Sequence, residues 1–285
     1  MSSRSSSTDL PARKTPPVVK YPGRLVLIGN PVGHSLSPAF QNAALRAARI
    51  PLEYEALEVT KSGLRPLLQE LKKVSAAGNV TIPHKFSVAE RCDELTELAA
   101  RVGAVNTFWF ERGRLHGDNT DVGGFDAAAR ALLGAEPSGA RVVLLGAGGA
   151  AAAILAAAEA WEGATVSIVA RNAARREALA KRFPDVARVE TSAKRVVGDA
   201  TLIVNATPVG QREDEQPLDV ALISRSTAVM DLVYARGGTP WIRAARAQGN
   251  RAADGLTMLL EQGALSFQRW FGIEPDREAM RLSLQ

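Results

Sequence analysis

The chain has 285 residues, of which 46% are hydrophobic, and carries a formal net charge of +5. This length allows two domains, and the hydrophobic content is that of a globular protein with packed cores. The basic residues are spread along the chain without a long Lys/Arg block, which argues against a nucleic-acid-binding face and favours small anionic ligands. No apolar run approaches the ~20 residues that a membrane-spanning helix needs.

The cysteine content and the first residues indicate the cellular compartment in which the protein is expected. The only cysteine, Cys92, excludes an intrachain disulfide framework and a metal–thiolate cluster, and we predict no metal site. The first twenty residues are rich in Ser, Arg and Pro and lack the apolar segment of a secretory signal. We therefore expect a disordered tail over residues 1–22 of a cytoplasmic protein.

The first half of the chain alternates short apolar runs with segments of helical spacing. Apolar or alternating runs predict strands at 24–29, 52–59 and 79–82. Helical spacing predicts helices at 37–49, 64–74 and 90–101, and a long helix from Asp121 to about residue 133. Two further runs, 105–110 and 114–116, flank Arg112-Gly113 and predict a hairpin.

After residues 134–139 strands and helices alternate regularly. Predicted strands are 142–145, 165–169, 202–204 and 228–232; predicted helices are 150–161, 173–182 and 240–248. This rhythm predicts a parallel, doubly wound sheet. An amphipathic helix over 256–271 and a short helical tail complete the chain.

A glycine-rich turn follows the first strand of that second half. The run from Gly146 to Ala151 reads G-x-G-x-x-A between an apolar strand and an Ala-rich helix. Gly146 allows the tight turn, Gly148 lets the backbone approach a pyrophosphate, and the helix N-terminus favours an anion. We predict dinucleotide binding by Gly146, Ala147, Gly148, Gly149 and Ala150.

The next strand indicates which dinucleotide is bound. It ends in Ala170-Arg171-Asn172, with Arg175 and Arg176 just beyond and no acidic residue at its end. A carboxylate there would hold the 2′-hydroxyl of NAD, whereas an arginine can pair with the 2′-phosphate of NADP. The sequence therefore predicts NADP as the cofactor, bound through Arg171 with Arg175 or Arg176 beside it.

Two serines lie close together after the first strand. Ser35 and Ser37 precede a helix that Pro38 opens, so that together they can hold a carboxylate. We also expect Ser37 to cap that helix. For His34 the sequence leaves a catalytic base and a structural hydrogen-bonding role equally open.

Lys85 and Asp121 each close a dense polar motif, Asn79-Val80-Thr81-Ile82-Pro83-His84-Lys85 and Gly117-Asp118-Asn119-Thr120-Asp121. Such composition suits neither a helix interior nor a core strand. A lysine held beside an aspartate is a charged, oriented proton donor. The alternative is an ordinary surface salt bridge, which contributes only ~0–1 kcal/mol to stability.

These motifs resemble those of the shikimate dehydrogenase family. The same order of motifs continues with Gly103-Ala104-Val105-Asn106-Thr107, Asn205-Ala206-Thr207-Pro208 and Asp254-Gly255-Leu256-Thr257-Met258-Leu259-Leu260-Glu261-Gln262-Gly263-Ala264. The resemblance implies a substrate-binding α/β domain over 23–121 and 257–285 and a Rossmann-type NADP domain over 122–256. It further implies the NADPH-dependent reduction of 3-dehydroshikimate to shikimate in chorismate and aromatic amino-acid biosynthesis.

The resemblance also implies individual roles. Lys85 and Asp121 would be the catalytic pair. Ser35, Ser37 and Tyr234 would bind the substrate carboxylate, and Thr81, Asn106 and Gln262 its hydroxyl groups. Asn205, Ala206, Thr207 and Gly255 would lie beside the cofactor. Two positions depart from the family pattern: Ala170 replaces a frequent Asn, and the loop 235–240 lacks a frequent Pro after Tyr234.

Three alternative functions share part of this sequence pattern. A quinate or dual quinate/shikimate dehydrogenase uses the same scaffold, although Arg171 without a nearby acid disfavours an NAD-linked enzyme. An inactive NADP-binding regulatory homologue would have lost the dyad or the serines, and both are present. A folate dehydrogenase–cyclohydrolase shares the broad architecture but fits the serine pair less well. The sequence leaves the oligomeric state open, with a homodimer among the possibilities.

Overall fold

A computed structural model describes residues 21–212 and 214–284. Residues 1–20 of the predicted disordered tail lie outside this range. The described residues form two six-stranded sheets flanked by helices. Within the same residues no helix is both long and apolar enough to cross a membrane.

The first sheet is mixed. Its strands are β1 Leu25–Gly29, β2 Tyr54–Glu58, β3 Ala77–Val80, β4 Glu94–Leu95, β5 Thr107–Glu111 and β6 Arg114–Asp118, in the order β2-β1-β3-β5-β6-β4. Strand β1 is parallel to β2 and β3, whereas β5 is antiparallel to both of its neighbours. All residues of β1 are buried, as expected for a strand covered on both faces.

The helices of this half are α1 Ser37–Ala47, α2 Leu64–Lys73, α3 Lys85–Ala89 and α4 Glu97–Val102. The predicted helix over 90–101 is wrong, because β4 interrupts that segment. Tertiary bonds override the helical spacing here: β4 pairs with β6, and the Asp93 carboxylate accepts the Leu115 N–H at 2.7 Å. The Thr96 hydroxyl then accepts the Ala99 N–H and starts a new helix, α4.

The second sheet is wholly parallel, as predicted. Its strands are β7 Arg141–Leu145, β8 Thr165–Val169, β9 Ala187–Glu190, β10 Leu202–Asn205, β11 Ala228–Asp231 and β12 Ala252–Ala253, in the order β12-β11-β10-β7-β8-β9. Its helices are α5 Asp121–Leu133, α6 Gly149–Glu159, α7 Ala173–Arg182 and α8 Pro240–Gln248. The strand order reverses direction at β7, which places the glycine-rich turn at the switch point where such sheets bind ligands.

Two C-terminal helices, α9 Leu256–Phe271 and α10 Arg277–Leu282, return to the first sheet. The α9 side chains Ala264 and Phe267 share a buried cluster with Phe40 of α1. Helix α9 also packs closely on α5, where a Cβ at Gly124 would lie 2.9 Å from the Met258 carbonyl. Only glycine allows this approach, which brings the start of α5 beside the middle of α9.

Candidate active site

One cavity collects the predicted catalytic and substrate-binding residues. It has a volume of about 210 Å³ and lies at the carboxyl edges of both sheets. All of the residues predicted for these two roles line it: Ser35, Ser37, Thr81, Lys85, Asn106, Asp121, Tyr234 and Gln262. A larger open hollow of about 400 Å³ contains none of them and lies beside residues 133–141 and 198–201.

The Lys85 and Asp121 side chains meet at the floor of this cavity. Lys85 is the first residue of α3 and Asp121 the first of α5, where the helix N-terminus favours a negative charge. The Lys85 Nζ donates to Asp121 Oδ2 at 2.6 Å, and the two side chains are only 17% and 8% exposed. The pair is therefore not an ordinary surface salt bridge.

Asn106 holds the other oxygen of the aspartate. Its Nδ2 donates to Asp121 Oδ1 at 2.8 Å and lies 3.2 Å from the Gln262 Oε1. Its Oδ1 accepts the Thr120 N–H at 2.7 Å. Gln262 is oriented in turn, because its Nε2 donates to the Leu259 carbonyl at 2.7 Å. The Asp121 carboxylate is thus fixed at both oxygens and presents one edge to Lys85.

Beneath these residues lies a set of buried hydroxyl groups for which the sequence predicts no role. The Oγ atoms of Thr107, Thr120 and Ser266 are mutually 2.8–3.0 Å apart. Asn79 joins them through its Nδ2, 2.8 Å from the Ser266 Oγ. Helical spacing offered one signal, since Ser266 follows Gln262 by one turn of α9 and donates to its carbonyl.

The serine pair lies at the start of α1, but Ser37 does not cap that helix. The predicted cap is wrong because Leu36 already has helical dihedral angles and takes the N-cap position without a side-chain bond. Instead the Ser35 Oγ accepts the Ser37 N–H at 3.2 Å. Ser37 is buried, Ser35 is half-buried, and both line the cavity; His34 is exposed and does not line it.

Tyr234 reaches this serine pair from the opposite sheet. It follows β11, and a hydrogen bond links its hydroxyl to the Leu36 backbone at the start of α1. Burial raises the pKa of Tyr234, and that hydrogen bond opposes the rise. The tyrosine therefore stays a neutral hydroxyl beside the two serines at physiological pH.

The glycine-rich turn has an open face suited to a pyrophosphate. Gly146 has φ of 123°, and a Cβ there would lie 2.9 Å from the Ala206 carbonyl oxygen. A Cβ at Gly148 would meet no heavy atom within 4 Å, so an approaching ligand finds bare backbone. Helix α6 then begins without a side-chain cap. Its free N–H groups provide an anion site, and Ala147, Gly149 and Ala150 belong to the same turn.

The predicted phosphate-binding arginines lie at the carboxyl end of β8. Arg171 and Arg175 are exposed. Asn172 caps α7 by accepting the Arg175 N–H at 2.9 Å. Arg176 is held differently: its Nη1 donates to the Ala170 carbonyl at 3.1 Å, and its Nε is buried without a hydrogen-bond partner. The strand end therefore offers cations where an NAD site would need an acid.

The other predicted cofactor residues converge on the same edge. Asn205 is fully buried, and its Oδ1 accepts the Thr207 N–H at 3.0 Å and the Thr207 hydroxyl at 2.6 Å. Ala206, between them, contacts the glycine turn through its carbonyl. Gly255 lines the cavity, and a Cβ there would lie 2.3 Å from the Leu232 carbonyl oxygen. Their positions are therefore compatible with a dinucleotide lying across the ends of β7 and β10.

Comparison with known protein families gives two matches at the two ends of the chain. Residues 27–108 match the shikimate dehydrogenase substrate binding domain. Residues 255–285 match the shikimate 5'-dehydrogenase C-terminal domain. Both matched segments contribute residues to the cavity, including Ser35, Lys85 and Gln262.

Relatives match over nearly the whole chain. The shikimate dehydrogenase (NADP(+)) of Methanopyrus kandleri is 41% identical over 268 residues, covering 90% of this chain and 92% of the relative. The shikimate dehydrogenase structure from Aquifex aeolicus has a TM-score of 0.86 and 35% identity, covering 92% and 97%. The shikimate 5-dehydrogenase of Thermus thermophilus, solved in complex with NADP(H) and shikimate, has a TM-score of 0.83 and 36% identity, covering 91% and 97%.

Proposed function

The chain belongs to the shikimate dehydrogenase family, and we propose that it catalyses the reversible, NADPH-dependent reduction of 3-dehydroshikimate to shikimate. This reaction is a step of chorismate and aromatic amino-acid biosynthesis. One observation carries the proposal: a largely buried lysine–aspartate pair shares a cavity with a serine pair that suits a small carboxylate. The relatives named above support NADP as the cofactor.

The residues present suit a bound dinucleotide phosphate. The open face of the turn at Gly148 admits a pyrophosphate, and the exposed Arg171 and Arg175 suit the 2′-phosphate. Asn205, Ala206, Thr207 and Gly255 line the adjoining edge. When bound, NADPH supplies the hydride, so the protein has to supply position and a proton.

The proposed proton donor is Lys85. Its ammonium group is placed to stabilise the negative charge that develops on the carbonyl oxygen and then to protonate that oxygen. Asp121, at 2.6 Å, accepts a hydrogen bond from the Lys85 ammonium and restricts its direction. Asn106 prevents the carboxylate from rotating away, because it holds the second oxygen. In the reverse direction the same pair accepts the proton of the substrate hydroxyl.

The remaining polar groups of the cavity would orient the substrate ring. Ser35 and Ser37 offer hydroxyl donors to the carboxylate, and the Tyr234 hydroxyl lies beside them. Thr81 and the amides of Asn106 and Gln262 are the groups for the ring hydroxyls. Because these groups sit on separate elements at fixed positions, they favour one orientation of a small polyhydroxy acid.

We propose that residues 23–121 and 257–285 form the substrate-binding unit and residues 122–256 the NADP-binding unit. The two separate sheets support this division, and the buried cluster around β7 and α6 also takes in Val102, Ala104 and Met258 of the first unit. A biosynthetic role that draws on NADPH favours the cytoplasm as the site of action. A homodimer stays a prediction that light scattering of the purified protein can test.

The function is tested by an absorbance assay at the nicotinamide band that crosses shikimate and quinate with NADP and NAD. We expect turnover with shikimate and NADP to exceed every other combination in kcat/KM. Preferred turnover of quinate would point to the alternative dehydrogenase. Absence of turnover with all four pairs would point to an inactive binding protein and overturn the proposal.

A further inference from the structure

A buried carboxylate lies where two loops leave the carboxyl edge of the second sheet. Asp231 ends β11, is 0% exposed and pairs in register with Asn205 at the end of β10. None of the roles proposed above uses this side chain. Burying a carboxylate costs free energy unless it is hydrogen-bonded, so its partners indicate what it holds in place.

One arm of its hydrogen bonds leads to the cofactor side. The Asp231 Oδ1 accepts from the Asn205 Nδ2 at 2.8 Å. The Asn205 Oδ1 in turn accepts the N–H and the hydroxyl of Thr207. Ala206, between these residues, touches the glycine-rich turn at Gly146 through its carbonyl. The carboxylate is therefore two hydrogen bonds away from the loop that borders the pyrophosphate site.

The other arm leads to the substrate cavity. Asp231 Oδ1 also accepts the Val233 N–H at 3.0 Å, and its Oδ2 accepts the Thr239 hydroxyl at 2.7 Å. Thr239 caps α8, so this one carboxylate anchors both ends of the loop over residues 233–239. That loop carries Tyr234, whose hydroxyl is hydrogen-bonded to the Leu36 backbone.

We propose that Asp231 is a positioning residue for both ligands. Through Asn205 it sets the loop that borders the dinucleotide, and through Val233 and Thr239 it sets the placement of Tyr234 beside the substrate carboxylate. The inference rests on the proposed function, since it takes from it the roles of Tyr234 and of the loop 205–207.

The test uses equilibrium dissociation constants, measured by isothermal titration calorimetry with NADP and with shikimate on the full chain. Asp231→Asn can keep the geometry, since its amide can donate to the Thr239 hydroxyl, but it loses the charge that strengthens all three bonds. We expect Kd to rise about three- to tenfold for each ligand, the effect of weakening a hydrogen bond by roughly 1 kcal/mol.

A matched control lies at the other end of the same strand. The Thr227 hydroxyl is buried and donates to the Ala200 carbonyl at 2.8 Å, far from the carboxyl edge. Thr227→Val removes a buried hydrogen bond and should lower Tm while leaving both Kd values unchanged. It separates loss of stability from loss of ligand positioning.

Double variants separate the two arms. With Asn205→Ala, which cuts the cofactor arm, adding Asp231→Asn should no longer change the Kd for NADP but should still raise the Kd for shikimate. With Tyr234→Phe, which removes the hydroxyl that is positioned, adding Asp231→Asn should no longer change the Kd for shikimate. The effects of Asp231→Asn and Asn205→Ala should therefore be non-additive on the Kd for NADP. The effects of Asp231→Asn and Tyr234→Phe should be non-additive on the Kd for shikimate.

The outcomes distinguish this inference from the proposed function. If Tyr234→Phe alone leaves the Kd for shikimate unchanged, the proposed role of Tyr234 is wrong, and so is the positioning role of Asp231 toward shikimate. The positioning role toward NADP is then still tested by the double variant of Asp231→Asn and Asn205→Ala. If the single variants shift Kd as expected but the effects of Asp231→Asn are additive in both backgrounds, the roles stand and the inference is overturned. Unchanged Kd values in Asp231→Asn overturn it outright.

Discussion

The proposed substrate side of the site, around Asp121, and the proposed cofactor side, around Gly148, are built in opposite ways. On the substrate side, Asn106, Thr120 and Asp121 are buried, and Asn106 is hydrogen-bonded to each of the other two. On the cofactor side, the turn at Gly148 faces open space, and Arg171 extends into solvent. A small polyhydroxy acid needs several side chains fixed in advance, whereas a dinucleotide can be held by backbone N–H groups and a few charges.

This contrast predicts that the two sides will affect different kinetic constants. Changes on the substrate side should lower kcat, because they disturb groups proposed to act on the reacting atoms. Changes on the cofactor side should raise the KM for NADP and leave the chemical step intact once the cofactor is saturating.

The largest effect is expected from Lys85→Ala. It removes the proposed proton donor, and kcat should fall by at least ~10²-fold, the low end for general acid catalysis, with a smaller change in the KM for shikimate. Steady-state kinetics in both directions measure this. Lys73→Ala is the matched control: Lys73 is an exposed lysine of α2 paired with Glu70, and its loss should leave kcat unchanged.

Much of the fold could be predicted from the sequence. The predicted bounds of α5, α7, α8, α9 and β8 agree with the structure, because strong periodicity and caps such as Asn172 and Thr239 mark those elements locally. The break in the helix predicted over 90–101 was missed, since it depends on the pairing of β4 with β6, a contact across the chain. The short, polar strand β9 was not predicted for the same reason, because its extended conformation depends on pairing with β8.

In the candidate site, too, features that depend on contacts between distant residues could not be predicted from the sequence. Motifs identified the residues that face the cavity, such as Lys85 and Gln262, because each lies in a dense local pattern. They did not identify Ser266 or Asp231, which act through contacts with residues distant in the chain. Ser37 lines the cavity as expected of a predicted site residue, but its predicted capping role is wrong because the N-cap of α1 is Leu36, one residue earlier.

The second largest effect is expected from Arg171→Ala on the cofactor side. A hydrogen bond to a charged group contributes about 1.5–3 kcal/mol, so the KM for NADP should rise roughly 10- to 150-fold. The KM for NAD, which lacks the 2′-phosphate, should change far less. Arg188→Ala, an exposed arginine on β9, should change neither value. Equal effects on NADP and NAD would show that Arg171 does not read the 2′-phosphate.

A smaller effect, on stability, is expected from Ser266→Ala. This substitution leaves the hydroxyls of Thr107 and Thr120 short of a buried partner, which should lower the free energy of unfolding by about 1–3 kcal/mol. Differential scanning calorimetry should show a Tm lower by several degrees. Ser226→Ala, an exposed serine whose hydroxyl contacts Ser224, should stay within ~0.5 kcal/mol of wild type. An equal loss in both variants would contradict a preformed substrate side.

The smallest effect concerns Cys92, which packs under the substrate-side sheet. Burial, assisted by the charge of Asp93, raises the pKa of Cys92 to about 12. At pH 9 the native thiol should therefore react with iodoacetamide much more slowly than the same thiol in urea. Because the folded state keeps a proton that the unfolded chain loses near its ordinary pKa, stability should fall as pH rises from ~8.5 towards about 12.

Two comparisons test whether the Cys92 thiol causes the predicted loss of stability at high pH. In Cys92→Ser the contribution of the thiol to the pH dependence between these values should disappear. Alkylation of the native thiol at the rate measured in urea would show that this part of the substrate side is open to solvent.

Single-turnover kinetics test most directly whether the substrate side supports the chemical step and the cofactor side only NADP binding. Wild type, Lys85→Ala and Arg171→Ala are each preincubated with a smaller amount of NADPH, at enzyme concentrations well above the Kd for NADPH so that all of it is bound. Each is then mixed with excess 3-dehydroshikimate, and the loss of nicotinamide absorbance is followed. Lys85→Ala should be slower than wild type by at least ~10²-fold, and Arg171→Ala should match wild type. A Lys85→Ala rate close to wild type, or equal slowing of both variants, would contradict the proposed roles of the two sides.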